Sequence, residues 1–399
     1  MDGSGSRMRE YPLEYEGEPM SPCRSSRKFN LFNAVLFASL LGITVTLLPW
    51  YAVSVGISRA EWLLFFFYVA ATGLSITVGY HRLFAHRSFR TGPVITFLNL
   101  FFGAAALEES ALHWASLHRD HHRYVDTPQD PYNIKQGFWH AHIGWMLFWR
   151  NLPDYRNVKD LHANPLIRNQ HRYYPIWVAL SGIGLPLAIG AATGHLLGAF
   201  LLAVVGRITL VHHSTWSINS ICHTFGKATY DIDASARDHW GVALLTNGEG
   251  YHNFHHRFCG DYRNGVRWYQ WDPSKWVIAL LNRLGLAGNL QRTSPQRILS
   301  ARTAAEYQRV ERAVRRSGRE KIFLLGQIRG HYEALRTILE EWEKLERGYQ
   351  RIRQTVSKES RSTVRSLKRS LAEQHRAFVN ARRAWISILT RTSAFLGEA

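Results

Sequence analysis

Apolar residues arrive along this chain in long blocks instead of short alternating runs. A helix crossing the ~30 Å hydrocarbon core of a bilayer needs roughly 17–25 predominantly apolar residues. Four stretches reach that length: Leu31 to Val53, Trp62 to Tyr80, Ile176 to Thr193 and His195 to Val211, the last two separated by a Gly/Thr turn region. The segment Val94 to Leu107 is also apolar but short, and it runs into Glu108 and Glu109, which predicts a re-entrant or surface-lying helix and not a span. From Ser300 onward the pattern changes. Ile322, Leu325, Ile328, Leu335, Ile338, Leu339, Trp342 and Leu345 recur at three-to-four spacing among Arg, Glu and Gln, as in amphipathic helices that pair with each other or lie on a membrane surface. Breaks at Ser317-Gly318 and Ser360 divide this region into two or three helices. Residues 1–29 mix charges with Gly, Ser and Pro and read as a flexible cytosolic arm; no cleavable signal is expected, because the first apolar run starts late and is long. The expected organisation is an arm at 1–29, a membrane domain at 30–292 and a basic helical extension at 293–399. The fold class is all-α integral membrane, with four transmembrane helices.

Positive charge sets the orientation, since cytoplasmic loops are enriched in Lys and Arg. Arg59 is the one basic residue in the first inter-span linker and the second linker has none, whereas the N-terminal arm, the block Arg82 to Arg172 and everything after Arg207 are rich in them. Four spans with both termini on the cytosolic side satisfy this distribution. A mean hydropathy of −0.21 conceals the spans, because a polar final quarter is averaged with them. The net charge of +19 suggests nucleic acid at first, but residues 291–399 hold 24 Lys and Arg against 11 Asp and Glu, so +13 of the excess lies there. The rest suits a surface facing anionic lipid headgroups, and no nucleic-acid role is expected. Cys23, Cys222 and Cys259 form neither a disulfide framework nor a paired metal motif.

The chain's 20 histidines concentrate in three places: His81-Arg-Leu-Phe-Ala-His86, His118-Arg-Asp-His121-His122 and His252-Asn-Phe-His255-His256. Residues at i, i+3 and i+4 share one helix face, so the second and third clusters each present three imidazoles together. Imidazole suits Zn, Cu, Fe and Ni. Eight imidazoles exceed the about four to six positions of one such ion, so two metals are implied. Neither Cys pairs for structural zinc nor repeated Asp ligands for magnesium or calcium occur. With four spans, all three clusters emerge on the cytosolic face.

Other histidines carry less signal. His113, His140, His142, His162, His171, His195 and His239 lack partners at ligand spacing and read as interfacial or hydrogen-bonded side chains. His212 and His213 lie at the cytosolic end of the fourth span and could reach a metal, yet neighbours on a helix point about 100° apart, so both do not easily bind one ion.

In order and in their placement among paired spans, these boxes resemble the membrane acyl-CoA desaturase family typified by stearoyl-CoA desaturase, over roughly Leu31 to Arg292. Asp130-Pro131-Tyr132-Asn133, His142-Ile143-Gly144-Trp145, Thr215-Trp216 through Asn219 to His223, and Gly248-Glu249-Gly250 carry the resemblance further. It implies a cytosolic helical di-iron domain on the four spans and an O2-dependent desaturase that inserts a cis double bond, at delta-9 of an acyl-CoA, in lipid biosynthesis. By motif position, one iron would be held by His81, His86, His118, His122 and His255, and the other by His121, His223, His252 and His256, with Asn219 acting through a water. The resemblance alone brings in His223. It also puts Thr215 and Trp216 at the bend of a buried acyl tunnel with Trp114 nearby; read without it, both tryptophans are equally interfacial aromatic anchors.

Redox iron fits the chemistry, because an unactivated methylene has neither an acidic proton nor a leaving group, and a cofactor must supply the reactivity. The chain departs from the family at Ser116-Leu117, where animal members carry Arg-Asp for the CoA headgroup, and at Glu108 and Glu109, where the family has amides. Arg123, Lys135, Arg150, Arg156 and Lys159 are the basic candidates to replace that contact, and an acyl-lipid carrier is the alternative. A membrane hydroxylase would use the same boxes; a metal transporter or sensor would want ionisable residues within the spans. No His-Pro-Gly-Gly or Cys-rich iron–sulfur segment occurs, so electrons are expected from a separate b-type cytochrome or a ferredoxin with its reductase.

Overall fold

The computed structural model describes residues 28–149, 153, 155–317, 323–355 and 361–396. The expected arm therefore lies almost wholly outside the described residues, as does Arg150. Among the described residues, four helices are long and apolar enough to cross a membrane: α1 (Leu31–Ser54), α2 (Arg59–Ala85), α5 (Tyr174–Ala192) and α6 (Leu196–Ser220). Between them lie α3 (Pro93–Ala105) and α4 (Ala111–Tyr124), and beyond them the short α7 (His252–Arg257). The chain is a mostly helical integral membrane protein, with only two-residue antiparallel strand pairs at Lys28–Phe29 with Phe148–Trp149 and at Arg90–Thr91 with Ala287–Gly288 among the described residues.

Local chemistry starts these helices where the sequence allows. The Asn30 side chain accepts from Asn33 N at 3.0 Å and opens α1. Ser58 and Glu61 form a reciprocal capping box that opens α2. The same Glu61 carboxylate accepts from Tyr51 Oη at 2.5 Å, which ties the α1–α2 hairpin together. At α3, 13 residues span about 20 Å, too little for a bilayer. It packs against α2 so closely that a Cβ on Gly103 would lie 2.3 Å from the Tyr80 ring.

Two helices run further than their apolar runs. α2 continues past Tyr80 to Ala85 and α6 past Val211 to Ser220, so the first histidine box begins inside α2 and not after it. Hydropathy ends where lipid ends, but a helix continues wherever tertiary packing covers it. Over its last turns α2 widens to i→i−5 hydrogen bonding, with His86 N donating to His81 O at 3.0 Å. Burial is uneven: 72% of the most apolar stretch of α6 is enclosed, against 6% for α1, which makes α6 the central helix.

The spans also hold a charge that hydropathy did not flag. Arg207 is buried within α6; it donates to Ala203 O at 3.0 Å, to Gly182 O at 2.8 Å and to Ala105 O, and its guanidinium lies 5.5 Å from the centre of the Tyr68 ring. One cation thus joins α2, α3, α5 and α6 at the carbonyl end of α3, where backbone acceptors would otherwise be unpaired.

The C-terminal region forms three helices, α8 (Pro295–Arg316), α9 (Phe323–Thr355) and α10 (Arg361–Leu396). They pair with each other around Val314, Ile328, Leu335, Leu339 and Trp385. Glu306 on α8 accepts from Arg382 at 2.7 and 2.9 Å and from Trp385 Nε1 at 2.8 Å on α10.

Candidate metal centre

Nine histidines gather into two adjoining groups. His81, His86, His118, His122 and His255 form one; His121, His223, His252 and His256 form the other; within each, potential ligand atoms lie within 4.8 Å of one another. α4 supplies both. His118 and His122, one turn apart, face the first group, while His121 turns toward the second. α7 divides likewise, His255 to the first and His252 with His256 to the second. Shared helix face therefore did not mean a shared ion: each His-x-x-His-His lies between two centres and serves both. The groups touch where the His122 and His256 rings stack at 4.3 Å.

Nitrogen spacing identifies what such a group can hold. In the first, His255 Nε2 lies 2.9 Å from His81 Nε2 and 2.9 Å from His122 Nε2, and His86 Nε2 is 2.8 Å from His118 Nε2. In the second, His252 Nε2 is 3.0 Å from both His223 Nε2 and His256 Nε2, and His121 Nε2 is 3.3 Å from His256 Nε2. Ligands at right angles on a metal–imidazole bond of ~2.1 Å stand about 3 Å apart. Three nitrogens meeting at one point cannot all be satisfied by protons between them, whereas a cation satisfies every lone pair.

Electrostatics agree with that reading. Burial, reinforced by neighbouring cationic or histidine groups, pushes His86, His118, His122, His223, His252, His255 and His256 well below the usual histidine range. These rings are neutral at neutral pH, the form that binds a metal.

Outer partners orient the rings. His121 Nδ1 bonds Asp130 Oδ1 at 2.8 Å, His223 Nδ1 lies 2.6 Å from Ser235 Oγ, and His81 Nδ1 lies 2.8 Å from Glu249 Oε2. A carboxylate or hydroxyl on Nδ1 directs the Nε2 lone pair inward. Glu249 is itself held by Arg82 at 2.9 Å and Asn264 at 2.6 Å; burial raises its carboxyl pKa, but its partners His81 and Arg82 outweigh that and hold it low. The Gly-Glu-Gly sequence has a steric reason: Gly248 has φ +103° and a Cβ there would lie 2.7 Å from the Asp272 side chain.

A model of the fatty acid desaturase family matches residues 60–279, more than half of the chain. The chain belongs to the fatty acid desaturase family. It is 44% identical over 226 residues to a probable acyl-CoA desaturase of Schizosaccharomyces pombe and 40% identical over 250 residues to acyl-CoA desaturase 1 of Saccharomyces cerevisiae. Those matches cover 56% and 62% of this chain but 47% and 49% of the relatives, so the chain spans about half the length of the yeast proteins it matches. An sn-1 stearoyl-lipid 9-desaturase of Anabaena variabilis is 33% identical over 273 residues, covering 66% of this chain and 94% of the relative.

Beside the first metal group of this desaturase chain opens a cavity of about 1030 Å³, lined mainly by apolar side chains. It reaches from Phe32 and Asn33 past Trp216, Thr215 and Asn219 to His81, His118 and His252, and on to Val69, Ala70 and Ile183. Trp114 stacks on His118 at 4.7 Å, and Trp216 is 4% exposed, 5.0 Å from Phe37, so both indoles face the cavity and not a headgroup zone. Thr215 Oγ1 donates to Glu108 Oε1 at 2.8 Å. Glu108 sits between Leu107 (φ 60°) and Glu109 (φ 73°), two left-handed residues that aim its side chain into the wall. Asn219 lies on the cavity wall one turn before His223.

The remaining histidines stay out of both metal groups. His212 contacts Ala106 O at 3.0 Å and Leu107 O at 3.1 Å, holding the turn before Glu108. His213 pairs with His142 at 3.1 Å, His113 with Tyr155 at 3.1 Å and His171 with Ser110 at 2.6 Å. Ser116, where the chain departs from the family's Arg-Asp, is buried and donates to Asn157 Oδ1 at 2.7 Å, while Leu117 lines the cavity. Lys135 is committed to Asp126 O at 2.7 Å. Three outer supports, Asp130, Glu249 and Ser235, were not singled out from sequence; the first two stand in the quoted motifs, whereas no local pattern marks Ser235.

Proposed function

We propose that this chain is an oxygen-dependent fatty acyl desaturase that inserts a cis double bond, at delta-9, into a saturated chain carried by CoA. The juxtaposition of an apolar-lined cavity with two polyimidazole groups supports this best. Two iron ions, one held by His81, His86, His118, His122 and His255 and the other by His121, His223, His252 and His256 with Asn219 through a water, would supply the O2 activation that an unactivated methylene requires. Overall, the substrate loses two hydrogens, and O2 with two electrons and two protons becomes two waters. The protein's own residues do the rest: the cavity wall excludes water and fixes which carbons approach His81, His118 and His252. Trp114, Thr215 and Trp216 define the wall beside the centre, and Glu108 anchors Thr215.

Higher identity to the two yeast proteins named acyl-CoA desaturases supports CoA as carrier. Arg123, Lys135, Arg156 and Lys159 are the described basic candidates to meet a phosphate-bearing headgroup. The Anabaena relative's name points to acyl-lipid instead, and competition decides: free CoA inhibits if the carrier is CoA, and has no effect if intact phospholipid is desaturated. A separate b-type cytochrome, or a ferredoxin with its reductase, delivers the electrons at a cytosolic face. Reporter fusions after Tyr51, Thr193 and Ala399 test the orientation, and a non-cytosolic C-terminus refutes it. The deciding experiment is fatty-acid mass spectrometry after expression in a desaturase-deficient host. Products two hydrogens lighter support the proposal; products one oxygen heavier make the protein a hydroxylase.

A further inference from the structure

The C-terminal extension does more than pair with itself. Ile298 and Ala301 on α8 pack into an apolar cluster with Tyr230, Phe254 and Phe258. Phe254 belongs to α7, flanked in sequence by the third histidine box. Further along α8, Arg309 Nη2 donates to Ala228 O at 2.7 Å and Arg312 pairs with Asp233. Both contacts grip the loop between α6 and the third box. The start of α8 is also tied to the membrane domain, through Thr293 N and Asp261 Oδ2 at 2.9 Å.

That loop contains Ser235, whose hydroxyl lies 2.6 Å from His223 Nδ1. His223 differs from the eight histidines of the boxes. It lies just beyond the end of α6, with no second histidine at helical spacing to share its positioning. Inside, the loop is held by Asn253, which accepts from Tyr230 N at 2.7 Å and donates to Asp231 O at 2.7 Å, and by Ser235 N donating to Asp126 Oδ2 at 2.8 Å. Its outer side is covered by α8, and α10 holds α8 in turn through Arg382 and Trp385 on Glu306.

We propose that the extension is a brace: α8 holds the Ala228–Asp233 side of the loop against α7, and through Ser235 it positions His223 in the four-histidine group. Arg309 and Arg312, which grip the loop, are positioning residues for His223 and hence for that group; Ile298 and Ala301 pack on Phe254 of α7, which carries ligands of both groups. Four of the five ligands of the other group, His81, His86, His118 and His122, come from α2, α4 and the residue that follows α2. The proposal rests on the two-iron reading above. It predicts an asymmetric defect, because a general loss of stability would release both metals whereas a loosened brace releases one.

The test is made on purified full-length protein, with iron counted by elemental analysis and its release to a chelator followed in time. Outer supports of a ligating histidine are typically worth ten- to a hundredfold in metal affinity. In the double variant Arg309→Ala/Arg312→Ala, whose side chains lie at the surface, half of the iron should leave about tenfold faster while the other half leaves at the wild-type rate. Ser235→Ala should reproduce the fast half without touching the extension. Arg336→Ala, confined to exposed pairs within α9, should behave as wild type. Unchanged release from the double variant and Ser235→Ala, or equal acceleration of both irons, overturns the brace and leaves the two-iron reading standing. A wild-type protein holding no iron overturns both.

Discussion

Replacing Glu108 by glutamine isolates the effect of a carboxyl buried in the cavity wall. Burial pushes its pKa up to about 7 from the ordinary 4.5, against the opposing effect of hydrogen bonds from Thr215 and Trp114. Neither donor brings a positive charge, so the anion is solvated poorly. Between pH 4.5 and about 7 the folded chain retains a proton that the unfolded chain has released. Stability is therefore fully present below 4.5, falls as pH rises through that window, and stays reduced above about 7. With ~1.4 kcal/mol per pH unit between the two values, the loss is about 3 kcal/mol. Glutamine keeps an acceptor for Thr215 Oγ1 and does not titrate. Unfolding midpoints of wild type and Glu108→Gln, measured in the same detergent from pH 4.5 to 8.5, should diverge across the window with wild type losing ground as pH rises. The histidine centres titrate alike in both proteins and cancel in the difference. Parallel profiles would show that Glu108 has an ordinary carboxyl and that its burial is not felt.

Asp130→Asn removes the carboxylate on His121 Nδ1, and iron affinity in a chelator titration should fall ten- to a hundredfold without loss of the protein from the membrane. His121→Ala or His256→Ala should abolish product formation in fatty-acid profiling, while His195→Ala, whose ring stands 3.9 Å from Glu61 and belongs to neither metal group, should retain it. Arg207→Leu leaves Gly182 O and Ala105 O without their donor inside the bundle, at about 1–3 kcal/mol for each buried unpaired group, and should lower the thermal midpoint at every pH from 5 to 8.

Local pattern was sufficient for the four spans, the short α3 and the three clusters, because hydropathy over a bilayer's thickness and i, i+3, i+4 spacing are properties of contiguous residues. The expected breaks at Gly318 and Ser360 lie outside the described residues. How each cluster would be shared could not be read from spacing. His118 and His121 lie on one helix yet serve different groups, because α7 approaches α4 so that His255 meets the first and His252 and His256 the second. His223, Ser235 and Glu249 join the centre from distant sequence, through a loop and a Gly-Glu-Gly turn whose placement depends on Arg82, Asn253 and Asp272. The ends of α2 and α6 were underestimated because polar residues there are covered by protein and not by lipid, a circumstance that hydropathy does not register. That Ser116 turns inward to Asn157 could not be read from its position in the motif, because its partner lies 41 residues away. Composition and periodicity determine which segments become helices, which side chains can bind a metal and that one ion is too few for them; which of those side chains meet is decided by long-range packing that brings residues more than a hundred positions apart within 3 Å of one another.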